Sequence, residues 1–316
     1  MATTVNSDLV IYNDTAQTAY LERNMDNLAV FNENSRAAIG LNSELIEGDL
    51  KLRSFYKVGG SIADRDVNST AAVTGTKIAA DEMVSVKVPW KYGPYETTEE
   101  AFKRRARSPE EFSMLLGQDM ADATMSGWIG YALNALQGAI GSNAAMNVTG
   151  ELATEGKKVL TKGLRTMKDK ASSIAIWVMD STSYFDIVDE AIDNKLYEEA
   201  GAVVYGGTPG TLGKPVLVTD QCPATKIFGL VAGAVMVTES QAPGMRSYPI
   251  DDQENLAIGF RAEGTANVEV LGYKWKTKTN VNPSAASLAT TTNWEKYATS
   301  DKATAGFIIT LTQPAG

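Results

Sequence analysis

Five carboxylates gather around one predicted helix: Asp180, Asp186, Asp189, Glu190 and Asp193. Asp186 and Asp189 are three positions apart and share a helical face, and Asp193 adds a third carboxylate to it. Such a set can hold a hard cation or move a proton. It equally reads as a solvated face with acids near a helix N-terminus, and we take that as the expectation. Asp64-Arg65-Asp66 and Asp251-Asp252 fall in predicted loops and are too short to define a metal site. Gly210-Thr211-Leu212-Gly213-Lys214-Pro215 approaches a phosphate-binding loop but departs from it twice. Thr208 stands where the first glycine belongs, and Pro215 stands where Ser or Thr should follow the lysine. Nucleotide binding is therefore not expected. The densest basic run is Lys103-Arg104-Arg105-Ala106-Arg107, suited to an acidic neighbour, to phosphate or to plain solvation.

The chain holds no histidine and one cysteine, Cys222. This removes Ser-His-Asp and Cys-His nucleophilic systems, His- or Cys-rich zinc sites and any internal disulfide. No catalytic residue, cofactor or metal is expected. The net charge of −9 over 316 residues argues against a dedicated nucleic-acid binder. The opening segment carries Asp8, Asp14, Glu22, Arg23 and Asp26 with no apolar run, so no secretory leader is expected. No apolar stretch approaches the length that spans a bilayer, so no membrane partner is expected either.

The elements that must position these groups are more informative than the groups. Pro109 suits a first helical turn, Ser108 can cap it and Glu111 sits three positions after the cap. No further proline interrupts the run to Gly141, which predicts a helix over about 109–140. At the helical rise per residue such a rod is about 45 Å long. Phe112, Leu115, Leu116, Met120 and Ala123 are read as its apolar side, continued by Trp128, Tyr131, Leu133 and Leu136. Gly117, Gly127 and Gly130 interrupt it, which suits close approach of another backbone or a bend.

Residues 1–50 read as an irregular arm with short helices. Residues 51–95 read as a long two-stranded excursion whose second strand, Met83–Pro89, alternates with period two. An isolated hairpin is marginal in water and needs a surface, in its own domain or on another copy. Residues 154–170 read as a basic amphipathic helix, with Lys157, Lys158, Lys162, Arg165, Lys168 and Lys170 as a solvated face against Val159, Leu160, Leu164 and Met167. From Ser173 the pattern turns α/β. Ile174–Met179 is a buried strand, and Asp180 or Ser181 caps a helix. Pro215–Thr219 and Lys226–Val237 are further strands, the latter a pair or buried run. Residues 238–254 read as loop. Ala257–Ala262, Ala266–Trp275 and Phe307–Thr312 are strands, and 277–305 is a long insertion with a helical turn near Trp294–Tyr297.

This order of parts resembles the major capsid proteins of tailed bacteriophages with the HK97-like fold. The resemblance rests on Val88-Pro89-Trp90 closing the hairpin, Ser108-Pro109-Glu110-Glu111 opening the long helix and Trp177-Val178-Met179-Asp180-Ser181 at a strand-to-helix junction. It also rests on Gly210 through Asp220, Phe228 through Ala234, Gly272-Tyr273-Lys274-Trp275, Asn293-Trp294 and Lys296-Tyr297, and it spans about residues 50–316. It implies an α+β fold in four parts: an N-terminal arm (1–50), an extended hairpin (51–95), a peripheral domain (96–172 and 255–316) carrying the long spine helix, and an axial domain (173–254).

The implied role is structural and non-enzymatic. Hexamers and pentamers would close an icosahedral virion head around double-stranded DNA without sequence-specific binding, assembled in the bacterial host cytoplasm. Portal, separate scaffolding and decoration proteins would be partners. Lys57, Val86, Val88, Trp90, Arg104, Arg105, Arg107, Gly210 and Lys214 are the candidate intersubunit contacts. Some relatives crosslink subunits through a lysine and an asparagine. Lys57, Lys77 and Asn280 are the residues that such a bond could use, but no motif assigns them to it, and no crosslink is expected. An encapsulin-like cellular nanocompartment is the alternative, and an α/β enzyme using the acids near Asp186 is the reading from another class.

Overall fold

The computed structural model describes residues 13–312 except 45, 47, 49, 58–59, 61, 106–108, 194–210, 253 and 277–279. In chain order the elements are α1 (Asn13–Asn34), β1 (Ile39–Ser43), β2 (Leu50–Lys57), β3 (Ala79–Thr98), α2 (Glu99–Arg105), α3 (Pro109–Gly141), β4 (Asn147–Gly150), α4 (Leu152–Glu155) and α5 (Lys158–Met167). There follow β5 (Ile174–Met179), α6 (Ser181–Asp193), β6 (Val216–Val218), β7 (Lys226–Val231), β8 (Val235–Glu239), β9 (Gly244–Ile250) and β10 (Ala257–Val270). The chain closes with β11 (Tyr273–Trp275), α7 (Ala285–Ala289), β12 (Trp294–Lys296) and β13 (Gly306–Leu311).

Two sheets organise the molecule. The first runs β1-β8-β10-β3-β2, with β9 also on β10; the second runs β4-β13-β7-β5-β6. The backbone of the first is the antiparallel ladder of β3 and β10, from Ala257 opposite Thr98 to Val268 opposite Val86. The period-two strand signal has its physical cause here: Val84, Val86 and Val88 all point into the core. β8 and β9 share one edge of β10, β8 against Ala266–Val270 and β9 against Ala257–Glu263.

The second sheet draws strands from distant parts of the chain. β13, which the sequence places with the peripheral segment, pairs antiparallel with β7 of the axial segment and parallel with β4. β7 and β8 are not a hairpin. Gly233, at φ +70°, turns the chain from one sheet to the other. Its N–H donates to the Ala37 carbonyl at 2.7 Å. One apolar core runs through both sheets and the buried half of α3, where Trp128, Leu133, Leu136, Ala139 and Ile140 meet Trp177, Phe228, Val237 and Phe307.

The long helix is the expected one, running without a break from Pro109 to Gly141. At the helical rise per residue it is about 50 Å long. Ser108 lies outside the described residues. Its apolar side differs in detail, because Leu115 and Ala123 are exposed while Met120, Ala121, Thr124 and Trp128 are buried. The reason is α1, a single continuous helix over Asn13–Asn34 where the sequence predicts an irregular arm. It lies on α3 through Ala16, Ala19 and Tyr20. Arg23 and Asn27 donate to Asp122 at 3.0 and 2.8 Å.

Gly117 explains the close approach: a Cβ there would stand 2.2 Å from the Ala16 carbonyl oxygen. Gly127 has nothing within 4 Å and Gly130 meets only the Gln221 side-chain oxygen at 3.3 Å, so close backbone approach holds at Gly117 and not at the other two. Gly117→Val should push α1 off α3 at a cost of about 1–3 kcal/mol. In hydrogen exchange, amides of Asn13–Asn34 should lose protection while those around Leu133–Ile140 keep theirs. Unchanged protection in α1 would contradict this packing account.

Three further expectations are corrected. Residues 244–250 form an edge strand, not loop; Pro249 is tolerated there because an edge strand leaves one row of N–H groups unpaired. The helical turn expected near Trp294–Tyr297 falls just before it, at Thr291–Asn293, and Trp294–Lys296 is the strand β12, paired with β11, with the rings of Trp275 and Trp294 edge-to-face at 5.2 Å. The basic helix is broken at Gly156 into α4 and α5. Residues Ala202–Tyr205 lie outside the described residues.

Candidate assembly surface

The hairpin of β2 and β3 carries the longest fully exposed run among the described residues. The strands pair from Leu50 opposite Val86 out to Lys57 opposite Ala79. Between them, residues 60 and 62–78 form no helix or strand and are all exposed. Four are large and apolar: Ile62 is 104% exposed, Val67 80%, Val73 95% and Ile78 59%. Single exposed apolar residues are ordinary, and here four large ones fall on one excursion.

The base of the hairpin is fixed to its own subunit. Lys274 donates to Asp81 at 2.6 Å, and Lys57 stands 4.0 Å from the same carboxylate. The ring of Phe55 packs on Tyr297 at 5.2 Å, and Arg53 faces Glu269 at 3.7 Å. Burial alone would raise Asp81. The hydrogen bonds from Lys274 and from the Glu82 N–H outweigh it and hold the carboxyl below its ordinary range. A lowered folded-state value contributes stability that is present above the unfolded carboxylate pKa, about 3.9, and is lost as pH falls through the lowered value. Asp81→Asn should therefore cost about 1 kcal/mol at neutral pH and loosen Phe55 and Tyr56. As the pH falls from neutral to about 3, its penalty relative to the parent should shrink. Urea midpoints at a series of pH values would report this. A penalty that grows on acidification would contradict the assignment.

The candidate contacts separate by burial. Val86 and Val88 are corrected: at 0% and 1% exposure they belong to the subunit's own core and offer no side chain to a neighbour. The apolar period that picks them out is a core signal. Lys57 and Trp90 are half-buried. Trp90 lies on Gly264, where a Cβ would meet its ring at 2.6 Å. It lines an open groove of about 700 Å³ with Lys91, Gln241 and Glu263. Arg104 pairs with Glu100 within α2, and Arg105 is exposed. Arg107 and Gly210 lie outside the described residues.

Lys214 donates to the Ile174 carbonyl at 2.5 Å, and burial lowers its pKa. That ammonium is committed to the subunit's main chain, which removes the last resemblance to a phosphate loop. Lys77 is exposed in the excursion, and the Asn280 carbonyl accepts from Trp275 Nε1 at 3.2 Å.

The side chains of Glu190 and Asp193 lie outside those described, and the remaining acids near Asp186 are not drawn together. Asp180 is the helix cap. Its carboxylate accepts from the Thr182 N–H at 3.2 Å. It accepts from the Ser183 N–H at the same distance. Asp186 and Asp189 are exposed, and among the described residues no group of three or more potential ligands is placed to hold a metal. Burial, with the charge of Asp180, pushes the Cys222 thiol up to about 12, so it is no nucleophile. Among the described residues no helix is long and apolar enough to cross a membrane.

Sequence reasoning misses the pairs that join distant segments. Tyr20, fully buried, donates to Glu239 at 2.8 Å, though the two are 219 positions apart. Burial raises the pKa of both. Nothing local to either residue signals the other.

Against known proteins, the family model described as Gp13-like, major capsid protein 13-like, matches residues 8–308. Among solved structures, the capsid of a native GTA particle aligns with a TM-score of 0.54 at 14% identity, over 75% of this chain and 86% of that one. A structure of Mycobacterium phage Bobi aligns at 0.51 and 12% identity, over 86% and 89%. The cyanophage Pam1 capsid aligns at 0.50 and 11% identity, over 73% and 84%. A comparison with curated protein sequences found no match. At these identities the structural likeness speaks to the fold, and the fold is the α+β, HK97-like one.

Proposed function

The chain belongs to the Gp13-like family of major capsid proteins and is a structural component of a virion, and on that premise we propose how it builds the shell. Subunits form hexamers and pentamers, with the axial segment 173–254 around the local symmetry axes and the peripheral segments 96–172 and 255–316 between capsomers. The excursion of residues 58–78 lies on the adjacent subunit. The closed icosahedral shell encloses double-stranded DNA without sequence-specific contact, assembles in the host cytoplasm with scaffolding and portal proteins, and can carry a decoration protein. The subunit performs no catalysis.

The observation that carries this reading is the hairpin: paired and tethered at its base, yet with its apolar tip residues Ile62, Val67, Val73 and Ile78 left open. Heterologous contacts between different patches close into rings, and modest contacts repeated by symmetry give a stable assembly. Electron microscopy of the protein expressed in bacteria, with and without the genes that neighbour it, tests the reading. Closed particles or five- and six-fold rings, free of a co-purifying cargo enzyme, are expected. A cargo enzyme inside the particles would move the protein to the nanocompartment alternative.

A further inference from the structure

The helices α5 and α6 each leave a charged face to solvent among the described residues. On α5 the residues turned from the core are Lys158, Lys162 and Arg165, spaced by four and three positions and so in one stripe. The opposite side is anchored by Gly163, where a Cβ would meet the Phe307 ring at 2.1 Å. Lys162 pairs with Glu155 at 2.5 Å; among the described residues Lys158 and Arg165 have no ion-pair partner. On α6 the outward face presents Asp186 and Asp189, also without an ion-pair partner among the described residues, beside Phe185, which is 59% exposed. Both helices belong to the second sheet: α5 packs on β13, and α6 leaves β5 through the Asp180 cap.

We infer that these faces are the two halves of one contact between copies of the chain: Phe185, Asp186 and Asp189 of one subunit dock on Lys158 and Arg165 of the next, on either side of the Lys162 that Glu155 holds. The inference rests on the shell-forming reading and names a second contact within it, apart from the hairpin. Charge complementarity chooses the occupant. In a chain of net charge −9, a cationic stripe in an assembly of identical subunits is matched by an acidic face of its neighbour. The two patches sit on different helices, as a head-to-tail contact requires. Phe185 supplies the apolar centre such an interface needs, and the alkyl stems of Lys158 and Arg165 can cover its ring.

Charge exchange tests this in particles assembled from the full chain. Lys158→Glu with Arg165→Glu should raise the concentration needed for assembly at least about tenfold, since like charges across an interface are strongly unfavourable. Asp186→Lys with Asp189→Lys should do the same. The four substitutions combined should return assembly to within about threefold of the parent. Unimpaired assembly by either double variant would overturn the pairing, and so would failure of the combined variant to recover while its circular dichroism matches the parent. Strong binding of a DNA duplex by the parent, lost in Lys158→Glu/Arg165→Glu, would hand the stripe to nucleic acid and also overturn it. Failure of the parent itself to assemble would sink the shell reading rather than this contact.

Discussion

Removal of Gly59–Ile78, with an Asn-Gly turn joining the strands, should leave a folded subunit that forms no closed shell. The ladder of β2 and β3 ends at Lys57 opposite Ala79, so a tight turn can replace the tip without breaking a strand pair. Of the deleted residues, 60 and 62–78 are exposed and none of these enters the core. The melting temperature should therefore stay within about 3 °C of the parent, the shift that about 1 kcal/mol produces in a large domain. Assembly loses far more. Burying side chains such as Ile62, Val67, Val73 and Ile78 on a neighbour is worth roughly 1.5–3 kcal/mol each, and the contact recurs at every subunit. Sedimentation should show only slow species at concentrations where the parent forms particles. Particles of normal size from the deletion would show that the tip is dispensable and that the hairpin is not the linking element.

Phe307→Ala should cost about 3–5 kcal/mol, a large fraction of the stability of a domain that has about 5–15 kcal/mol in all. Phe307 is fully buried on β13, inside the second sheet. Its ring is held between two glycines: a Cβ at Gly163 on α5 would meet it at 2.1 Å, and one at Gly229 on β7 at 2.5 Å. Its edge-to-face partner is Trp177, with centroids at 5.7 Å. Neither glycine can fill the space the ring leaves, so the cavity persists and the site collapses poorly. Urea unfolding should show the midpoint falling by this amount with an unchanged slope. A loss below about 1 kcal/mol would mean that β13 does not seat the sheet as described.

The elements legible in the sequence are those whose signals are local. Ser108-Pro109 and an uninterrupted run mark the long helix, and alternation marks β3. Asp180 marks the start of α6 by the ordinary chemistry of a cap. What stays hidden depends on contacts between distant residues. α1 is rich in asparagine and, among its described side chains, buries only a narrow line, Ala16, Ala19, Tyr20, Asn24 and Phe31. Its helix is held by the α3 surface that Gly117 opens, which no propensity reports. β9 reads as loop because Pro249 and its polar neighbours suit one, yet an edge position accepts both. The same limit shapes the contact set. Val86 and Val88 stand out by their apolar period, and that period marks the core. The exposed apolar residues of the excursion have no period at all, and only the structure shows that they stand clear of the subunit's core. Asp81 and Lys274, which set the angle of the hairpin's base, are 193 positions apart and carry no motif.

The most direct test of the account is a cryo-electron microscopy map of the assembled particle at side-chain resolution. The account predicts a closed icosahedral shell in which residues 58–78 lie across the adjacent subunit, with Ile62 and Val73 covered and Lys274 still on Asp81 of the same chain. A shell in which that segment folds back on its own subunit, or a preparation that yields no shell even with the neighbouring genes supplied, would contradict it.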